Sequence, residues 1–195
     1  ERGGYDDDVG RRGHQRTQHA DGKIEETYDD GRRVVTFRDG TRKVAHPCGR
    51  SVVQFANGDE KIKETDGTVA YRFAESGTLH TTRGDGTEIF EFSNGQKETR
   101  RPDGSLDIIF PDGTHKEMHA NGEETNTFPN GTVQRLLANG DRVIEFTNGQ
   151  RELLMEDGTK TSVYADGSCT TRYPDGRVRK LAADGRVVSD GYPRR

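Results

Sequence analysis

Residues 101–131 read RPDGSLDIIFPDGTHKEMHANGEETNTFPNG, and their punctuation decides the fold. Glycine returns at 104, 113, 122 and 131, each time behind Asp or Asn, with Pro or Ala one place earlier. Working outward, the nine-residue beat runs back to Gly4 and forward to Gly185, with one ten-residue step between Gly67 and Gly77. Twenty-one of the 25 glycines lie on it. From Gly22 onward the preceding residue is Asp eleven times and Asn six times in nineteen, the exceptions being Cys48 and Ser76. Asp-Gly and Asn-Gly between short alternating segments are hairpin signals.

Proline refines the turn. Pro47, Pro102, Pro111, Pro129 and Pro174 each stand two before a beat glycine. Proline supplies φ near −65° at the second residue of a type I turn, Asp or Asn follows, and glycine takes the left-handed position of a bulge. The spacing therefore predicts three-residue loops and six residues left for each strand. The expected fold class is all-β: a single open antiparallel β-meander of about twenty short strands, without helices.

Composition says how such a chain is held. Hydrophobic residues make up 28% and charged residues 33%, there is no Trp, and Leu, Ile, Val and Phe together are roughly 17%. That is too little for a two-layer globule of 195 residues. Solvent on both faces and no closed hydrophobic core is the expectation. The net charge of −4 and the interspersed Lys, Arg, Asp and Glu provide no basic stripe, which predicts no nucleic acid partner. No apolar run approaches a membrane span, so no membrane association is expected. Cys48 and Cys169, far apart and outside any CxxC, read as free thiols of a cytoplasmic protein.

An eighteen-residue superperiod distinguishes alternate strands. Phe37, Phe55, Phe73, Phe92, Phe110, Phe128 and Phe146 hold one slot, Tyr164 continues the series, and the longer unit explains the nineteen-residue step to Phe92. With period-two alternation, Phe90 and Tyr71 join Phe55 and Phe73 on that face. A three-residue loop pairs the residue before Pro or Ala with the one after Gly. On this register Lys43, Lys61, His80, Glu98 and Lys116 lie between the aromatics, and Glu98 falls between Phe90 and Ile108. The opposite face carries Arg42, Glu60, Glu64, Arg83 and Arg135, with fewer apolar groups such as Val34, Val52 and Val143.

Chemistry is sparse. Calcium-binding β-rolls repeat G-G-x-G-x-D-x-U-x, whereas each unit here has one Gly beside one Asp or Asn, which turn geometry explains without an ion. The six histidines lack zinc partners at ligand spacing along the chain. No serine stands in a G-x-S-x-G elbow. The expectation is a protein that is not an enzyme and uses no cofactor or metal.

The aromatic face suggests a ligand. Aromatics on every second strand recur at about 9.6 Å, twice the inter-strand distance. Polyproline II advances about 9.3 Å per three-residue turn, so a proline-rich segment laid across the strands meets one ring per turn. The ten-residue unit marks where such a peptide sits, because an insertion beside a regular array often carries function. It places Tyr71 and Phe73 on one face, and the Tyr71 hydroxyl is expected to orient a peptide carbonyl. Glu98 needs a donor, from Lys97, from Arg100 or from the partner.

Several segments carry a family resemblance: VQFANGD at 53–59, the YRF and TLHTT stretches around the long loop, and FSNGQKETRRPDG at 92–104. With the P-D-G, P-N-G and A-N-G turns, the chain resembles over residues 20–190 the T-complex-protein C-terminal domain, the G-box of the CPAP family of centriole assembly proteins. The resemblance implies a free-standing sheet, located at the centriole or centrosome, that binds a proline-rich segment of a STIL-type partner in centriole duplication. It implies contact roles for Phe55, Tyr71 and Glu98, and the derived face adds Phe73 and Phe90. Cys48 and Ser76 depart from the pattern, as do Gly4 and Gly13, which lack Asp. Residues 1–19 are therefore set apart as a weakly patterned start, 20–190 as the repeat domain, and 191–195 as a tail. An architectural alternative is end-to-end self-association into a strut, since an open sheet leaves unpaired edges. A MORN-like platform on lipid is the weaker alternative, given the mixed charge on both faces.

Overall fold

The computed structural model describes residues 14–193. It contains twenty antiparallel strands in meander order and, among the described residues, no helix. The fold class is the expected open β-meander. The chain divides into two units, Glu1–Ser93 and Asn94–Arg195. The first holds β1 (His14–Gln18), β2 (Ile24–Tyr28), β3 (Arg33–Thr36), β4 (Arg42–Ala45), β5 (Ser51–Gln54), β6 (Glu60–Lys63), β7 (Val69–Arg72), β8 (Leu79–Thr82) and β9 (Glu88–Glu91). The second holds β10 (Lys97–Arg100), β11 (Leu106–Ile109), β12 (His115–Met118), β13 (Glu124–Thr127), β14 (Val133–Leu136), β15 (Arg142–Glu145), β16 (Arg151–Leu154), β17 (Lys160–Val163), β18 (Cys169–Arg172), β19 (Val178–Leu181) and β20 (Val187–Gly191). Residues 14–18 are thus strand, while the Gly4 and Gly13 units lie outside the described residues.

The turns are of the expected kind. After β3, the Phe37 N–H donates to the Thr41 carbonyl at 2.8 Å, and the Gly40 N–H donates back to the Phe37 carbonyl at 3.0 Å. Gly40 has φ +91°, the left-handed value a bulge requires. The Asp before it has a job of its own: Asp39 Oδ1 accepts the Thr41 N–H at 2.9 Å. The same bond from Asp or Asn to the amide two residues on recurs along the chain, for example at Asp66, Asp85, Asp103 and Asn130. This selects Asp and Asn over other turn formers. The four-residue loop of the long unit closes from Phe73 to Thr78, and there Ser76 Oγ accepts the Thr78 N–H at 3.2 Å. Ser76 therefore departs from the pattern in identity and keeps its chemistry. Most strands are four residues long; the two remaining places form the pair that closes each loop.

The three-residue loops fix the register. In the first unit one face carries the cross-strand row Val35, Lys43, Val53, Lys61, Tyr71, His80, Phe90. The opposite face carries Val34, Val44, Val52, Ile62, Ala70, Thr81 and Ile89 in one row. That second row is more apolar than the sequence reading allowed, because Arg42, Glu60 and Glu64 occupy the neighbouring slots and mask it. Even so, Val34, 1% exposed, is the only buried hydrophobic side chain among the described residues. Cross-strand pairs at about 0.2–1 kcal/mol each, with backbone ladders, do the work of a core.

Candidate functional site

Strand β5 runs into Phe55 and β7 into Phe73, so each ring sits at the loop-closing position of its strand. Tyr71 lies two residues before Phe73 on the same face and stands opposite Lys61 and His80. The Phe55 and Tyr71 ring centroids are 5.7 Å apart, and those of Tyr71 and Phe73 are 4.6 Å apart. Phe55 and Phe73 alternate every second strand, as expected, but Tyr71 leans between them and makes one continuous aromatic cluster of separate rungs. Phe73 remains 40% exposed, large for its size and available to a partner.

Phe90 belongs to a second cluster. Its ring stacks on His80 at 4.2 Å with 5° between planes, and on Phe92 at 6.3 Å. His80 Nε2 lies 3.4 Å from Glu88 Oε1 on the same face. Glu98 belongs to the second unit, on β10 opposite Ile108. Its carboxylate accepts from Gln96 Nε2 at 3.0 Å and from Arg100 Nη2 at 2.9 Å. Arg100, one of the two protein donors expected for it, is in place.

One residue escaped the sequence reading. Asp59 is only 9% exposed and sits beside the cluster. Its Oδ2 accepts the Tyr71 hydroxyl at 2.8 Å and Asn57 Nδ2 at 2.9 Å, while Oδ1 accepts the Ala74 N–H at 2.8 Å. The Ala74 amide, then the Tyr71 hydroxyl and the Asn57 amide, hold the Asp59 carboxyl below the ordinary carboxylate range against the opposing effect of burial. Reciprocally, the hydrogen bond to Asp59, then burial and the Asp59 charge, push the Tyr71 phenol above its ordinary value. The Tyr71 hydroxyl, expected to orient a peptide carbonyl, donates its O–H to Asp59 in this structure. The available signal was the Asp in Asn57-Gly58-Asp59, where neighbouring units place Arg50 and Thr68.

In the second unit the register also gives His115 partners that chain spacing hid. Asp107, His115 and Glu117 bring one ligand atom each within 4.8 Å of one another, with Arg101 paired to Asp107. The three are half-exposed, and the Arg101 guanidinium already neutralises the carboxylate it touches. Among the described residues, no helix is long and apolar enough to cross a membrane.

Short hairpins in series, an aromatic cluster on one face of the first unit and, among the described residues, a single buried hydrophobic side chain define a β-hairpin repeat protein. More particularly, the chain belongs to the T-complex protein 10 C-terminus family, whose model matches residues 12–45, 102–134 and 123–154. It is similar to the TCP10 domain of Danio rerio CPAP, solved in complex with a peptide of Danio rerio STIL. The two are 41% identical over 88% of this chain and 99% of that one, with a TM-score of 0.61. The SAS-4 TCP domain of Drosophila melanogaster, solved with a proline-rich motif of Ana2, is 35% identical over 71% of this chain and 94% of that one, with a TM-score of 0.63. Mouse centrosomal P4.1-associated protein is 46% identical over 79 residues, 40% of this chain. This chain spans 6% of that relative's length.

Proposed function

We propose that this chain is a non-catalytic docking domain that binds a proline-rich segment of a STIL-type partner at the centriole, during centriole assembly. The Phe55, Tyr71 and Phe73 cluster carries the proposal: Tyr71 in contact with both phenylalanines, beside the four-residue loop, with Phe73 open to solvent. Polyproline II offers a preformed ligand with little ordering cost, and an aromatic-lined surface suits it. Phe90 extends the face within the first unit, and Glu98 enters through the family likeness. The zebrafish and fly relatives, each solved with a STIL or Ana2 peptide, support the choice of partner.

Calorimetric titration with a synthetic peptide of the STIL proline-rich motif tests it. Phe55→Ala and Tyr71→Ala each weaken binding by about 1 kcal/mol or more, with circular dichroism unchanged. Wild-type affinity in both folded variants overturns the site. Glu98→Val weakens binding while the melting temperature holds; a collapse in melting temperature with affinity intact makes Glu98 structural.

A further inference from the structure

Two repeat units place aspartate after the beat glycine, in Asn57-Gly58-Asp59 and Asn139-Gly140-Asp141. Both aspartates perform the same local task. Asp141 accepts Asn139 Nδ2 at 2.9 Å and the Glu156 N–H at 3.0 Å, as Asp59 accepts Asn57 Nδ2 and the Ala74 N–H. Each thereby clips its own turn to the turn two strands on. Only Asp59 adds a tyrosine hydroxyl. An ionised carboxylate accepts and cannot donate, so Tyr71 must be the donor, and its oxygen keeps acceptor capacity alone.

From this geometry we infer that Asp59 is a positioning residue of the docking face: it holds the Tyr71 ring between Phe55 and Phe73 and turns the Tyr71 oxygen into a hydrogen-bond acceptor. The partner then brings a backbone N–H to that oxygen. Proline has no N–H, so a non-proline residue of the peptide sits over Tyr71, and this sets the register in which a proline-rich segment lies on the sheet. The inference rests on the docking function proposed above.

The test titrates the synthetic STIL-motif peptide into wild type, Asp59→Ala, Tyr71→Phe, the double variant and Asp141→Ala. Asp59→Ala and Tyr71→Phe each weaken binding about fivefold, the worth of one hydrogen bond. The double variant binds no worse than the weaker single one, because both remove the same interaction. Asp141→Ala, which cuts the same clip without a tyrosine, binds as wild type. A peptide series with one backbone N–H at a time replaced by N-methyl contains one position that weakens wild type and leaves Tyr71→Phe unaffected. Wild-type affinity in folded Asp59→Ala, losses that multiply in the double variant, or an N-methyl series without such a position overturns the inference while leaving the docking function standing. Absence of peptide binding by wild type overturns both. Should Asp59→Ala not fold, Tyr71→Phe and the N-methyl series carry the test: wild-type affinity in Tyr71→Phe, or a series without such a position, overturns the inference.

Discussion

Asp59 and Tyr71 form a pair whose two pKa shifts have opposite signs, and the consequence for stability can be read from each. The Asp59 carboxyl sits lower in the fold than in the unfolded chain, so its contribution is present above the unfolded value near about 4 and is lost as pH falls through the folded value. The Tyr71 phenol sits higher in the fold, so its contribution is complete below about 10 and is lost as pH rises through the folded value. The melting-temperature gap between wild type and Asp59→Asn is therefore constant from pH 6 to 8 and closes at acid pH, where the carboxyl is protonated. A gap that does not narrow as pH falls below about 4 would remove the carboxylate from the interaction. At this scale the sequence was legible wherever alternation alone decides a residue's face, as for Phe55, Tyr71, Phe73 and Phe90. Asp59 was not, because its role depends on contacts with Tyr71 and Ala74, well along the chain, and on how far a tyrosine side chain leans.

A turn in this chain combines three requirements: a left-handed glycine, an acceptor before it, and a free amide two residues after that acceptor. The Cys48 turn lacks only the second, since a thiol is a weak acceptor, while the His46 and Arg50 bonds close its loop normally. Cys48→Asp should therefore stabilise by about 1 kcal/mol at pH 7, the worth of one hydrogen bond, measured by urea unfolding. The gain disappears below about pH 4, where carboxylates take up protons. Glycine itself differs between turns. A Cβ at Gly131, φ +81°, would lie 2.8 Å from Thr147 Cγ2, whereas one at Gly122, φ +88°, meets nothing within 4 Å. Gly122→Ala thus carries only the left-handed penalty of about 1–2 kcal/mol, and Gly131→Ala destabilises further, by the same unfolding measurement. Turn type, strand number and register were all legible because proline, Asp or Asn and glycine each report a separate dihedral. The aliphatic row from Val34 to Ile89 was harder to see, since charged residues share its strands and dilute the apolar signal.

On the scale of the whole chain, roughly 17% Leu, Ile, Val and Phe denotes disorder only when the apolar residues are scattered, and here alternation gathers them into rows. What composition leaves out is how cooperativity survives without a shared interior. Within each unit every strand pairs only with its neighbours in sequence and the turns reach no further than two strands on, so stability is a sum of hairpin terms and short-range terms, as in linear repeat proteins. Val34 gives the sharpest test, being buried on β3 between Glu26 and Val44. In a closed globule, Val34→Ala would lower the protection of every core amide together, by about 2 kcal/mol. In a chain of nearest-neighbour terms the loss stays local. Hydrogen exchange should quicken in β2 to β5 and fade with distance, leaving β8 and β9 unchanged within the same unit. Uniform loss of protection from β2 to β9 would show instead that the first unit unfolds as one cooperative body, and the additive account of its stability would have to be abandoned.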